Sequence, residues 1–205
     1  GFPKGVMLTH HNMVLNAAQT AEAEKITNKD RFIVMGPLYH CAPNVLGTLC
    51  AVTRGATMVL VETFDATQVL KSIEQEKVTV IHGAPTMFVQ LLEHPDLEKF
   101  DLSSLRTGFM ASAPCPVELM KQVIERMHVP EFTICYGLTE TSPLITHTTV
   151  DAPFEKRIST VGRPLPGVEV RIVDPNTGND VPPGKEGELW ARGYVVMKGY
   201  YKNPE

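Results

Sequence analysis

Short apolar runs alternate with amphipathic stretches along most of this chain. Phe32-Ile33-Val34-Met35-Gly36 and Ala56 to Val61 are compact runs rich in β-branched residues and read as buried strands. Val78-Thr79-Val80-Ile81-His82, Leu105 to Met110 and Phe132-Thr133-Ile134-Cys135 follow the same pattern. Between these runs the period lengthens. Met13, Val14, Ala17, Ala18 and Ala21 recur at helical spacing behind an N-cap at Thr9. Asn44 to Thr53 predicts an apolar helix ended by Arg54-Gly55, and Asp65 to Lys77 an amphipathic one. Gly83-Ala84-Pro85-Thr86 opens a further helix running to about Glu93, and Pro116 to Met127 is helical again. Strands alternating with helices of this length predict βαβ units, an α/β fold with a parallel sheet covered by helices.

Near residue 160 the pattern changes. Residues 161–205 hold 13 of the chain's 31 Gly and Pro residues, and apolar positions there alternate with polar ones. Val168-Glu169-Val170-Arg171-Ile172-Val173 and Glu188-Leu189-Trp190-Ala191-Arg192 predict antiparallel strands. Asp174-Pro175-Asn176-Thr177-Gly178 and Pro182-Pro183-Gly184 between them are turns. The expected division is an α/β part over 1–160 and part of a small antiparallel β subdomain over 161–205. No internal repeat or low-complexity segment stands out.

The chain's 205 residues suffice for one large domain or one and a half. With 19 basic and 23 acidic residues, a net charge of −4 and no basic run, the composition argues against a nucleic-acid partner. Cys41, Cys50, Cys115 and Cys135 form no CxxC, so reduced, buried thiols in a cytoplasmic protein are expected. The seven histidines show no HxxxH or HExxH spacing and lend no support to a structural zinc. No apolar run has transmembrane length and the amino end lacks a signal-peptide pattern, while peripheral contact with a membrane stays open. A chain that opens Gly1-Phe2-Pro3 and stops at Asn203-Pro204-Glu205 reads as a piece of a longer protein.

Chemistry concentrates in Tyr136-Gly137-Leu138-Thr139-Glu140-Thr141-Ser142-Pro143, just after the run Phe132 to Cys135. Gly137 permits a sharp bend and the close approach of a ligand to the main chain. The Tyr136 ring suits stacking on a flat base, the Thr139 hydroxyl a phosphate, and the Glu140 carboxylate a metal. Magnesium fits such a group, because it takes one or two protein carboxylates, some waters and substrate phosphate oxygens. The same residues also read as a polar loop with a helix-capping Thr and a solvated Glu. Gly1-Phe2-Pro3-Lys4-Gly5 sets two glycines and a proline about one lysine. Backbone N–H groups of such a turn cradle phosphate and the lysine adds a point charge, although an exposed turn has the same composition. Ligands on parallel sheets lie beyond the carboxyl ends of the strands. Pro37–Pro43, Ala111–Pro114 and Tyr136–Pro143 follow such ends and are expected to converge on one crevice. Between Asp30 and Glu62 there is no acidic residue, and Arg54 is the only charge after Arg31. A pocket built there suits an apolar tail, with His40 as the titratable group near its mouth, or else as a core histidine satisfied by backbone.

Together, Gly1-Phe2-Pro3-Lys4-Gly5, Tyr136-Gly137-Leu138-Thr139-Glu140-Thr141 and Gly187-Glu188-Leu189 with Gly193, Gly199-Tyr200 and Pro204-Glu205 resemble the adenylate-forming superfamily in order and interval. Pro37-Leu38-Tyr39-His40, Gly83-Ala84-Pro85-Thr86-Met87-Phe88 and Val161-Gly162-Arg163-Pro164 add to a likeness that covers the whole chain. The superfamily includes acyl-CoA synthetases, peptide-synthetase adenylation domains and beetle luciferases. Within it the chain is most similar to medium- and long-chain fatty-acyl-CoA synthetases. The resemblance implies ATP, magnesium and coenzyme A. A carboxylic acid is joined to AMP with release of pyrophosphate, and the acyl group then passes to the thiol of coenzyme A. By the same resemblance Lys4 handles the β- and γ-phosphates and Tyr136 stacks on adenine. Gly137 and Leu138 belong to the nucleotide turn, and the backbone of Ala111, Ser112, Ala113 and Pro114 borders the purine. Thr139 binds phosphate, Glu140 coordinates magnesium, and His40 sits beside the acyl carboxylate.

Some parts of the family pattern fall outside the chain. The Ser/Thr/Gly-rich half of the phosphate loop would precede Gly1. The ribose-binding aspartate, the hinge and the C-terminal lid with its lysine would follow Glu205. The 205-residue chain is therefore expected to be inert as a ligase while its parent is active. Peptide-synthetase domains usually place an aspartate near the start of their pocket helix, where this chain has the uncharged Cys41-Ala42-Pro43-Asn44-Val45. That argues against an amino-acid substrate and leaves aryl acids open, as it does a non-catalytic relative keeping the fold. No GxSxG occurs, and no Ser or Cys has a nucleophile-elbow context, which argues against a hydrolase.

Overall fold

The computed structural model describes residues 3–203 of the chain. Gly1, Phe2, Pro204 and Glu205, which carry part of the family resemblance, lie outside the described residues. Thr9 starts α1 (His10–Ala23). Its hydroxyl accepts from the Asn12 N–H at 3.1 Å, and Asn12 Oδ1 accepts from the Thr9 N–H at 2.7 Å, a capping box closed by an amide. After β1 (Arg31–Met35) the chain bends and enters a π-helix, Ala42–Leu49, continued by α2 (Cys50–Arg54). Gly55 ends this helix in the left-handed conformation with φ 66°, the usual role of glycine at a helix carboxyl end. Then follow β2 (Thr57–Val61), α3 (Ala66–Glu76) capped by Asp65, β3 (Val80–Gly83), α4 (Pro85–Leu92), β4 (Thr107–Met110), α5 (Val117–Arg126) and β5 (Glu131–Gly137).

These elements match the sequence expectation, with shifts at their ends. The largest difference is the apolar helix expected from Asn44, which begins at Ala42 and is wound as a π-helix through Leu49. Pro43 stands at its start, where a missing N–H costs nothing, and the Thr48 hydroxyl donates to the Pro43 carbonyl at 3.2 Å. Gly47 lets this helix lie close on β1, since an added Cβ would sit 3.4 Å from both Val34 methyl groups.

Among the described residues, two strands and one α-helix have no counterpart in the sequence reading: β6 (Leu144–His147), α6 (Phe154–Ser159) and β7 (Arg163–Pro164). All four β6 residues are buried, so the run shows no alternation, and β7 is too short to leave a pattern. Among the described residues one seven-stranded sheet has the order β2-β1-β3-β4-β5-β6-β7. β1 through β5 pair in parallel, while β6 and β7 add antiparallel. This sheet runs past the compositional boundary at 160. Helices cover both faces. Strand alternation sends Ile33 toward α3, α4 and α5 and Phe32 and Val34 toward α1 and the π-helix. β8 (Val168–Val173) and β9 (Glu188–Gly193) form a separate two-stranded antiparallel sheet with turns between them, as expected.

Two features of the sheet position the site. Arg106 binds Asp30 at 2.7 Å and Glu131 at 2.9 Å, pinning together the amino ends of β1, β4 and β5. At the opposite ends, β2 and β3 flank β1 on different sides, so the chain reverses its path across the sheet. Such a reversal leaves a crevice beyond the carboxyl ends of the strands.

Candidate functional site

The bend after β1 is set by its own hydrogen bonds. The His40 N–H donates to the Pro37 carbonyl at 2.9 Å, and Asn44 Nδ2 donates to the Leu38 carbonyl at 2.9 Å. The Ala42 N–H donates to His40 Nδ1 at 3.1 Å, so the neutral ring carries its proton on Nε2. His40 is exposed, which removes the core-histidine alternative. The neighbouring loop after β4 turns through Ser112, whose φ of 73° is left-handed, and presents Ser112, Ala113 and Pro114 to solvent.

β5 delivers the third piece. Gly137 has a need internal to the chain: a Cβ there would overlap the Pro143 carbonyl, because β6 folds back on β5 at this point. Beyond it Thr139–Thr141 makes one 3₁₀ turn. The capping hydroxyl belongs to Thr141, which accepts from the Leu138 N–H at 3.0 Å, and not to Thr139. Thr139 is exposed, with its Oγ1 3.3 Å from Cys41 Sγ. The three pieces line one cavity of about 720 Å³: His40 and Cys41, Ala111 through Pro114, and Tyr136 through Glu140. The expected convergence is met. Ser159 at the end of α6, with Thr160 and Val161 just after it, also line the cavity; of these only Val161 stood in a stretch that the sequence had singled out.

Glu140 is half-buried and accepts from the Tyr200 hydroxyl at 2.5 Å through Oε1. That hydrogen bond, helped by the Lys4 charge, holds its carboxyl below the ordinary range. Lys4 Nζ donates to the same Tyr200 hydroxyl at 3.3 Å and lies 4.7 Å above the ring. The structure thus brings Lys4 to the edge of the site through Tyr200, without placing it in the cavity wall. Among the described residues no three His, Cys, Asp or Glu side chains gather to hold a metal by themselves. The donor set is one ionised carboxylate with hydroxyls beside it, which suits an ion that completes its shell with water and phosphate oxygens.

A second cavity, of about 330 Å³, lies over the carboxyl ends of β1 and β3. Ile33, Met35, Pro43, Phe64 and Met87 make its wall apolar, and it shares His40, Ala42, Phe109 and Ser112 with the first. His82 lines it, stacked on Phe109 with ring centroids 3.9 Å apart. Behind His82 stands a wholly buried carboxylate that sequence reasoning missed. Glu24 Oε2 is 2.9 Å from His82 Nε2, and Glu24 Oε1 is 3.7 Å from His147 Nε2. The Thr133 hydroxyl donates to the Gly108 carbonyl, so His147 Nε2 donates to Thr133 at 3.0 Å. Burial pushes the His147 imidazole down to about 4, against the opposing charge of Glu24. The thiols divide as well: Cys50 and Cys135 are buried, whereas Cys41 and Cys115 are half-buried at the first cavity.

The family described as AMP-binding enzyme matches residues 1–201. The chain belongs to that family. Among its AMP-binding relatives, the "Putative acyl-CoA synthetase YngI" of Bacillus subtilis is 54% identical over 205 residues, covering 100% of this chain and 37% of the relative. The mitochondrial medium-chain acyl-CoA ligase ACSF2 of Mus musculus is 38% identical over 210 residues, covering 100% of this chain and 34% of that protein. The crystal structure of ATP-bound MatB from Rhodopseudomonas palustris superposes with a TM-score of 0.89 at 29% identity, over 100% of this chain and 40% of that one. The chain thus spans little more than a third of the length of the curated relatives it matches. No helix among the described residues is long and apolar enough to cross a membrane.

Proposed function

We propose that the protein containing this chain is an AMP-forming acyl-CoA ligase acting on a carboxylic acid with an aliphatic, medium or long tail. The observation that carries this reading is that an apolar cavity lies against a larger one bearing Tyr136, Thr139 and Glu140, the two sharing His40, Ala42, Phe109 and Ser112 in their walls. A fatty acid has that shape of chemistry, an apolar body with one charged end. Its tail lies along Ile33, Phe64 and Met87, and its carboxylate reaches the junction, where His40 Nε2–H is free to donate. ATP occupies the larger cavity, with adenine on Tyr136, the purine edge along Ala111 to Pro114, and Gly137 and Leu138 in the turn beneath. Thr139 and Lys4 meet the phosphates.

Carboxylate and triphosphate repel each other, so the chemical task is to offset charge and align the attack. A carboxylate oxygen displaces pyrophosphate from the α-phosphorus, giving acyl-adenylate, and the thiol of coenzyme A then displaces AMP. Magnesium, held by Glu140, supplies charge neutralisation on the phosphates when bound. Glu140 is kept ionised by Tyr200, ready for a cation. No protein nucleophile is needed. The test is acid-dependent ATP–pyrophosphate exchange by the full-length protein, with acetate, octanoate, palmitate and benzoate as acids. Exchange stimulated by the longer aliphatic acids is expected. Stimulation by benzoate alone would replace this reading with an aryl-acid ligase.

A further inference from the structure

In the reading above Tyr200 only keeps Glu140 ionised, yet it is the only side chain that hydrogen-bonds the Glu140 carboxylate among the described residues. Its hydroxyl carries one proton. That proton goes to Glu140 Oε1 at 2.5 Å, and the oxygen accepts from Lys4 Nζ at 3.3 Å. A single oxygen, on a residue near the other end of the chain from Lys4, thus stands between a cation and an anion 136 positions apart in sequence. The backbone fixes this arrangement. The Met7 N–H donates to the Gly199 carbonyl, the Lys198 N–H to the Met7 carbonyl and the Tyr201 N–H to the Gly5 carbonyl, at 3.0, 2.9 and 2.7 Å. The Met197 N–H donates to the Glu140 carbonyl at 2.9 Å, joining the same segment to the turn after β5. The segments bearing Lys4, Glu140 and Tyr200 are therefore held together by main-chain bonds.

We infer that Tyr200 is a positioning residue for nucleotide binding, holding Lys4 and Glu140 apart so that each is free for its own part of a metal–triphosphate. This rests on the nucleotide reading above. Without the hydroxyl, the ammonium and the carboxylate face each other across the space of one oxygen. They then close into a direct ion pair, which withdraws the lysine from phosphate and the carboxylate from the metal. The phenol prevents this by satisfying both groups at once. Because it binds neither charge covalently, it releases them when phosphate and cation arrive.

The test is calorimetric titration of the full-length protein, wild type and Tyr200→Phe, with ATP plus magnesium and separately with AMP. AMP lacks the β- and γ-phosphates and has no call on Lys4. Loss of a hydrogen bond to a charged group predicts about a tenfold or greater rise in Kd for magnesium–ATP, with AMP changed less than about twofold. The same substitution made on Glu140→Gln should weaken magnesium–ATP little further, because the partner it acts through is already neutral. Equal weakening of ATP and AMP, or weakening of neither, overturns the assignment. So does tighter magnesium–ATP binding, since the hydroxyl would then be a mask. A wild type that binds neither nucleotide instead overturns the nucleotide site itself. Thermal melting of both proteins separates a folding defect from a binding one.

Discussion

Cys41 Sγ lies 3.3 Å from Thr139 Oγ1, although the two residues stand 98 positions apart in the chain. The contact joins the bend after β1 to the turn after β5, two strands that are not neighbours in the sheet. β3 and β4 lie between them, so the bend and the turn must both reach over the intervening strand ends to meet. Their meeting encloses the larger cavity, and everything proposed about a nucleotide depends on it.

Removing the Glu140 carboxylate is the most direct probe of that cavity. In the full-length protein Glu140→Ala should lower the adenylation rate by about 10²-fold or more, the usual loss when a group that stabilises developing charge is deleted. Pyrophosphate exchange measures it. An unchanged rate would mark the protein as one that keeps the fold without using this residue.

The smaller cavity predicts a dependence on acid length. Each methylene buried along Ile33, Phe64 and Met87 should contribute about 0.8 kcal/mol, or roughly fourfold in affinity. KM should fall stepwise from acetate upward and level off once the cavity of about 330 Å³ is filled. A flat response from acetate to decanoate would mean that no aliphatic tail is buried there.

The thiols should report occupancy of the site. Burial raises Cys115 to about 11, and pushes Cys50 and Cys135 well above their ordinary value, which keeps all three protonated at pH 8. Cys41 is half-buried in the wall of the larger cavity. Iodoacetamide should therefore label Cys41 first, and magnesium–ATP should protect it. Mass spectrometry of the labelled peptides decides the order, and prior labelling of Cys115 would contradict it.

His147 should make the protein sensitive to mild acid. Burial, reinforced by His82 and opposed by Glu24, holds its imidazole at about 4. An unfolded histidine titrates near 6.5. Between about 6.5 and 4 the unfolded chain takes up a proton that the folded one refuses, so stability falls as the pH drops through that window. The full contribution, about 3 kcal/mol, is present above the unfolded value. Melting temperature against pH should show the slope, and His147→Gln should flatten it. A His147 ring proton titrating near 6.5 in the NMR spectrum would rule this out.

Much of the architecture was legible from local pattern. Period and turn chemistry are near-neighbour properties, so the alternation of β-branched runs with helical ones marked β1 to β5 and their helices. Thr9 and Gly55 marked helix ends because capping involves only adjacent turns. The glycine turn at 136–141 marked the end of β5 for the same reason. β6 was silent because a strand buried on both faces has no period of two.

What only the tertiary structure decided is which distant residues meet. Glu24 beside His82 and His147, and Tyr200 between Lys4 and Glu140, join segments whose separation is set by crossovers and by the path of the sheet. No local spacing encodes such a path. The depth of Glu24, the exposure of His40 and the two cavities that share a wall follow from packing. Packing depends on all the elements together, and a sequence read segment by segment cannot contain it.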